Sequence, residues 1–352
     1  MNAPAFLGAA TVRAVDLSSP AERARIAAFV AGHPHATPFH LPEWTIATAR
    51  GTGQRAHYLV AERAGLPIGV LPLTELHSPL FGRALVSAGF GVDGGILGDA
   101  RAARMLADAA WRLAERLACP NLELRGGASP GPAFRVSDGS YVGFARDLAK
   151  DDAAELLAIP RKQRAEVRRS LGNDLTLTID ADPREHYAVY ARSVRNLGTP
   201  VFPRALFSEV LAAFGEGADI LTVRHHGIAV ASVLSLYWRG AVYPYWGGGT
   251  HAARGLRAND RMYFALMGHA RGKGCARFDF GRSKVGTGAA AFKKNWGFDP
   301  VPRTYYTRTA DGVPAREVNP LSPRYRMQVR LWSKLPLTLA NRIGPWIAKG
   351  LG

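Results

Sequence analysis

In the stretch FDFGRSKVGTGAAAFKKNWGF, Phe278 to Phe298, a single carboxylate, Asp279, lies between two phenylalanines and is followed by Arg282, Lys284, Lys293 and Lys294. Successive side chains of a strand point to opposite faces, so Asp279 points away from Phe278 and Phe280. So placed, a carboxylate accepts a proton or orients an ammonium group, and the bases after it bind a phosphate or steady an oxyanion. Tyr243 and Tyr245 share one face of the preceding strand, where a phenol can protonate a leaving thiolate or hydroxyl. The loop SVRNLGTPVFP brings Asn196 and Thr199 toward the same cleft. Each residue also has a plain structural reading. Asp279 can pair with Arg282, the tyrosines can be ordinary strand aromatics, the lysine pair can mark a solvated turn, and Leu197-Gly198 can end a helix. No Ser-His-Asp or Cys-His set accompanies them, which favours direct attack over a covalent enzyme intermediate.

A second cluster lies just upstream. YPYWGGGTHAARGLRAND leaves a strand at Trp246 and enters a helix near Asn259, so the amides of Gly247, Gly248 and Gly249 converge with Arg254 and Arg257 on a helix start. That combination reads as an anion site, and its alternative is a tight turn between strand and helix. The corresponding stretch earlier in the chain, GGILGDARAAR, has Asp99 at the equivalent turn, which repels an anion. If one half is active, it is the second.

These residues need a scaffold, and the chain supplies it twice. Ala56 to Leu76 and Ala218 to Trp238 both read as strand, turn, strand, with Gly65 and Gly227 at matching turns. A helix over Ala102 to Ala118 and the strand NLELRG line up with a helix over Asp260 to Gly272 and the strand RFDFGR. Upstream of the hairpins lie mostly helical stretches, Pro20 to Ala49 and Pro183 to Phe214. Each half is strand, helices, hairpin, strand, Gly-rich loop, helix, strand, an α/β arrangement. A connector rich in Gly, Pro and Ser, GGASPGPAFRVSDGSYVGFARDL, puts the boundary near residue 150. Beyond it, a helix carries Arg161, Lys162, Arg164, Arg168 and Arg169 on its basic face.

The composition agrees with two domains: 352 residues, 47% hydrophobic, are ample for buried cores. Forty-five Lys+Arg against 28 Asp+Glu leave a formal charge of +17, which favours polyanionic neighbours: nucleic acid, phospholipid headgroups or phosphorylated substrates. Cys119 and Cys275 are the only cysteines; both precede apolar strands, where buried side chains are expected and no zinc site arises. No metal is expected. No run approaches the roughly 18 apolar residues of a spanning helix, and the expectation is a cytoplasmic protein.

The strand, glycine-bearing loop, helix and strand after a hairpin resemble the acetyltransferase fold of the Gcn5-related N-acetyltransferases, and tandem copies resemble the Fem peptidyltransferases. IPRKQRAEVRRSL, SVRNLGTPVF, PYWGGG, AND, FDFGRSKVGTG and FKKNWGF look like the Fem-related branch associated with exosortase and cell-envelope loci, a broad group that includes bacterial ceramide synthases. The resemblance implies two tandem acetyltransferase-like domains with mixed central sheets flanked by helices: a non-catalytic one at 1–150 and one at 151–310 carrying the site; the residues themselves add a basic amphipathic tail at 311–352. It implies acyl transfer from a thioester, with acyl-CoA as co-substrate and no resident cofactor, to an amine such as a sphingoid base. In that scheme Asp279, Tyr243, Tyr245 and Lys284 are catalytic. Gly247, Gly248, Gly249, Arg254, Arg257 and Asn259 bind the donor, and Asn196, Thr199, Arg282, Lys293 and Lys294 bind the acceptor. Two departures stand out: Ala252, Gly255 and Arg257 occupy the pyrophosphate-motif positions, and the chain lacks the long helical-hairpin arm of some Fem proteins. The alternatives are aminoacyl transfer from charged tRNA to an envelope glycan or lipid-linked precursor, and a non-catalytic nucleic-acid or envelope-assembly module. For the last, the basic helix at 161–169 has no interleaved aromatic platform.

From Leu321 to Gly352 the chain has Arg324, Arg326, Arg330, Lys334, Arg342 and Lys349, no acid, and apolar residues including Trp332, Leu335, Leu337, Leu339, Ile343, Trp346 and Ile347. This reads as an anchor on the anionic inner face of the membrane, or as a strap packed on the second domain, with Pro336 and Pro345 breaking any long helix.

Overall fold

Ala64–Gly65 and His226–Gly227 all have left-handed backbone, the geometry of a two-residue turn whose twist matches its flanking strands. Each turn starts an antiparallel hairpin, and around each hairpin the same succession of elements is built. The computed structural model describes residues 8–314, 316 and 323–352, with 323–326 described by backbone alone. Leu321 and the side chains of Arg324 and Arg326 therefore lie outside the described residues.

From the N-terminus the elements are β1 (Thr11–Ala14), α1 (Pro20–Gly32), α2 (Pro42–Thr52), β2 (Arg55–Arg63), β3 (Leu66–Ser78), β4 (Gly82–Ser87), β5 (Leu97–Gly98), α3 (Ala100–Arg116) and β6 (Asn121–Arg125). Then come β7 (Arg135–Asp147), α4 (Asp152–Ala158), α5 (Arg161–Leu171), β8 (Thr176–Asp180), α6 (Pro183–Asn196), α7 (Arg204–Phe214), β9 (Ala218–His225), β10 (Ile228–Trp238), β11 (Ala241–Gly249), α8 (His251–Leu256), α9 (Ala258–Gly272), β12 (Arg277–Lys284) and α10 (Gly288–Asn295). The chain finishes with β13 (Pro300–Thr309), α11 (Pro323–Lys334) and α12 (Leu337–Ala348).

Two units result, Met1–Asp138 with Thr304–Val318 and Lys349–Gly352, and Gly139–Arg303 with Asn319–Ala348. In the first, the strand order is β1-β2-β3-β4-β6-β13, with β4 and β6 parallel and the others antiparallel. In the second it is β7-β12-β11-β10-β9-β8, with β11 and β12 parallel. Both sheets are mixed. The connector strand β7, which precedes residue 150, pairs with β12 and belongs mainly to the second unit, while β13, which comes after β12, pairs with β6. Each sheet thus takes in a strand from outside its own half of the repeat.

The cores arise from amphipathic periodicity. On α3, Ala102, Leu106, Ala110 and Ala114, with Ala103, Ala107 and Trp111, are buried against Leu71, Leu73 and Leu122. In the second unit α9 buries Met262, Leu266, Met267 and Ala270 with Val233, Val242 and Phe278. Full burial of each large apolar side chain contributes about 1.5–3 kcal/mol. Both cysteines are buried and free. On α5, Gln163, Val167 and Ser170 face inward while Arg161, Lys162, Arg168 and Arg169 are exposed. No described helix is long and apolar enough to cross a membrane.

The C-terminal helices pack on α6. Arg195 donates from Nη1 to the Ser333 carbonyl at 3.1 Å, and the chain breaks between α11 and α12 at Pro336, with Pro345 inside α12.

Candidate active site

The parallel strands β11 and β12 pair at only two positions, Ala241 with Arg277 and Val242 with Phe278, and then part. From Tyr243 on one side and Asp279 on the other, the facing strand edges are no longer paired with each other. Two irregularities shape this gap. Opposite β10, Ser235 pairs with Pro244 and Leu234 with Trp246, so Tyr245 is the extra residue of a bulge. Pro244 has no N–H to give the ladder, a local reason for the break. Opposite β7, Asp279 pairs with Ala145 and Arg282 with Gly143, so two residues of β12 face one of its partner.

Asp279 and Lys293 hold that second bulge. The Gly281 N–H donates to Asp279 Oδ1 at 2.8 Å. Lys293, on α10, donates from Nζ to the carbonyls of Phe280 at 2.6 Å, Arg282 at 2.9 Å and Gly281 at 3.4 Å. Burial pushes the Asp279 carboxyl above the usual carboxylate range, opposed by the Gly281 N–H and by Arg303, Arg277 and Lys293. Burial lowers Lys293 to about 8 against the pull of Asp279. The sequence-based expectation puts Lys293 at the acceptor; an ammonium has three donors, and here they point at three main-chain carbonyls. Arg282 lies over the Tyr141 ring at 4.5 Å, and the hydrogen bond described at Asp279 comes from the Gly281 N–H. Lys284 is half-buried at the end of β12, and Lys294 is exposed.

The donor cluster is built differently from the expected loop. Gly247, Gly248 and Gly249 lie inside β11, paired with Val233, Ser232 and Ala231, because the strand continues past Trp246. They are small because helices press on the strand there. A Cβ on Gly248 would lie 2.5 Å from Ser193 Oγ of α6, and one on Gly247 would lie 2.9 Å from the Tyr263 hydroxyl of α9. The six-residue α8 intervenes before α9. Arg257 donates from Nε to Glu166 at 2.8 Å and from Nη1 to the Gly255 carbonyl at 2.9 Å, so its charge is already balanced; Arg254 is exposed. Asn259 Oδ1 and Thr250 Oγ1 are buried with no partner among the described residues. Buried polar atoms of this kind call for a partner.

Tyr243 and Tyr245 are half-buried; the bulge at Tyr245 interrupts the alternation that would put them on one strand face, and the Tyr245 and Trp246 rings are 4.9 Å apart. Asn196 and Thr199 are exposed where α6 ends, one turn beyond Ser193, and Gly198 between them packs against Val329. Sequence reasoning missed Tyr263, whose ring packs 4.9 Å from Phe280 and whose phenol burial raises to about 12. Three glycines in a strand were the available signal, since they mark where another group approaches the backbone.

Residues 159–294 match the family model described as an acetyltransferase (GNAT) domain. No curated protein matches the sequence. Among solved structures, FemX is similar at a TM-score of 0.63 with 17% identity, over 83% of this chain and 96% of that one. A tandem GNAT protein from the clavulanic acid biosynthesis pathway is similar at 0.56 with 14% identity, over 87% and 100%. The C-terminal domain of a putative lysylphosphatidylglycerol synthetase from Agrobacterium fabrum is similar at 0.52 with 15% identity, over 83% and 93%. At these identities the three likenesses speak for the fold.

Proposed function

We propose that the chain, whose residues 159–294 match an acetyltransferase (GNAT) domain, is an amide-forming acyltransferase that moves a long acyl group from acyl-CoA to a lipid amine, a sphingoid base, at the inner face of the membrane. One observation carries the reading: β11 and β12 part after Val242 and Phe278, with the Tyr245 bulge on one edge and Asp279 on the other. An extended thioester arm laid along β11 would bond to main-chain groups there and bring its carbonyl to the gap.

The reaction balances without a further reagent. The amine nitrogen attacks the thioester carbon, the C–S bond breaks, one proton leaves nitrogen and one reaches sulfur, and the products are an amide and free thiol. Asp279, with its raised carboxyl, orients the ammonium and accepts its proton. Tyr245 or Tyr263 supplies the proton to sulfur; the high value at Tyr263 keeps that phenol protonated at neutral pH. Asn259 Oδ1 accepts a donor N–H, and Arg254 and Lys284 supply positive charge. A lipid acceptor has support from a fold neighbour named for lysylphosphatidylglycerol synthesis.

The test is to mix the purified chain with acyl-CoA and a panel of amines: sphingoid bases, amino sugars and a short soluble alkylamine. Amide formation from acyl-CoA and the sphingoid base is expected, with coenzyme A binding seen by calorimetry. Strict dependence on charged tRNA would overturn the thioester and support the aminoacyl-transfer alternative. Acylation of the sugars alone would overturn the lipid acceptor.

A further inference from the structure

α11 and α12 each turn one side toward α6, and their other sides share a pattern. On α11, Met327 and Leu331 are 69% and 61% exposed, and Arg330 and Lys334 are exposed beside them. On α12, Leu339, Ile343 and Trp346 are 43%, 36% and 49% exposed, with Arg342 exposed. Both sets have the spacing i, i+3, i+4, i+7, which collects the four side chains on one helical face. Leu197, 65% exposed at the end of α6, adds to the apolar surface next to the Gly198–Val329 contact.

We propose that the exposed faces of α11 and α12 form a docking surface for an anionic lipid bilayer. Soluble proteins scatter large exposed apolar side chains singly, and here they are lined up on two neighbouring helices. A protein partner would be met by an interface core depleted of lysine, with bases at the rim. On this face the bases are interleaved with the apolar residues, which suits side chains that lay their stems on hydrocarbon and lift their charge to the headgroups. Residues 321–352 contain no Asp or Glu, so nothing in the segment opposes a negative leaflet. Trp346 is of the type that seats at headgroup level. The inner contacts with α6 make this a packed face, and both readings of the segment, strap and anchor, then describe its two sides.

The surface stands independently of the acyl-transfer reading, because its test is binding. The full chain is floated with vesicles of phosphatidylcholine alone and of phosphatidylcholine with phosphatidylglycerol. It is expected to float with the anionic vesicles and to be released as salt rises, since the attraction is screened within a Debye length. Leu331→Glu with Trp346→Glu should lower the bound fraction at least about tenfold with circular dichroism and thermal midpoint unchanged. Should that pair cost folding, Arg330→Gln with Arg342→Gln carries the test and should weaken binding to anionic vesicles alone. No flotation, flotation indifferent to both pairs, or a dimer that the Glu pair dissolves without any vesicle binding would each overturn the proposal. Vesicle binding without amide formation would leave this surface standing and count against the proposed function.

Discussion

In the first unit β4 and β6 pair at Leu85–Leu122 and Val86–Glu123 and then part, as β11 and β12 do in the second. Beyond those pairs the two units diverge. In the first unit the chain fills its own gap: Ile96 bridges Gly127, the Arg125 N–H donates to Ser87 Oγ at 2.8 Å, and Arg125 reaches the carbonyls of Gly91 at 3.2 Å and Gly352 at 2.8 Å. Trp44 Nε1 ties down the Gly89 carbonyl at 3.1 Å, and Ala88, Phe90 and Asp93 take left-handed backbone to keep the loop compact. In the second unit the corresponding chain runs straight as the glycine end of β11, and the parted edges remain. Glu123 and Asp279 occupy the same place in the alternation of their strands, yet Glu123 accepts from Arg125 at 2.7 Å while Asp279 holds only the Gly281 N–H among the bonds described. A fold whose parallel strands part has polar edges to satisfy, and the same architecture satisfies them with its own loop in one copy and leaves them parted in the other. The proposed function accordingly puts its chemistry in the second unit.

The largest expected effect tests the plug. A Cβ on Gly95 would overlap the Gly126 carbonyl oxygen, a main-chain atom that cannot swing aside, so Gly95→Ala should cost about 3 kcal/mol of stability. Gly248→Ala, which meets the Ser193 side chain, should cost about 1–2 kcal/mol. Denaturant midpoints of the two variants check the order, and equal midpoints would mean that the first loop is no more tightly seated than the glycine strand.

Chemistry should separate the two carboxylates next. Asp279→Asn should lower kcat/KM by about a hundredfold with little change in thermal midpoint, whereas Glu123→Gln should stay within about twofold of the parent. Matching losses in the two variants would erase the functional asymmetry between the units.

The smallest effect lies at the helix starts. α3 is capped by Asp99, which accepts from the N–H groups of Arg101 at 2.9 Å and Ala102 at 2.8 Å. α9 begins at Ala258, after Arg257, without a side-chain cap, and Asp260 in its first turn accepts from Gln163 at 2.6 Å. Burial pushes Asp260 up to about 6 from an ordinary 3.8, so the folded chain holds this proton more tightly than the unfolded one. The stability from this carboxyl is therefore full below the ordinary value and falls as pH rises to about 6. Asp260→Asn should remove that slope, gaining about 1 kcal/mol relative to the parent between the two ends of the window once screening of a half-buried group is allowed for. An unchanged slope in the variant would place the titration elsewhere.

Much of the candidate site was legible one residue at a time and illegible in its pairings. Asp279 stands out from its alternation with two phenylalanines, and the bulge at Tyr245 has a local cause in Pro244. Lys293 and Lys294 look alike in sequence, and only the bulge between β12 and β7 decides that one turns in to three carbonyls while the other stays in water. Arg254 and Arg257 look like a matched pair until Glu166, on α5, claims one of them. The glycines suggested a loop because glycine at a strand end usually turns the chain; here they clear space for Ser193 and Tyr263, which arrive from separate helices.

By itself the sequence determined the repeated order of strands, helices and hairpins, the turns at Gly65 and Gly227, the buried cysteines and the α/β class, because each depends on torsional preference and periodicity within a few residues. Tertiary structure alone decided that β7 completes the second sheet and β13 the first, that one gap is plugged and the other left with parted edges, and that α11 and α12 pack on α6 with an apolar, basic face turned outward. Those outcomes turn on which distant strand edge or helix face gains most by pairing, a comparison among contacts far apart in the chain that no short window of residues contains.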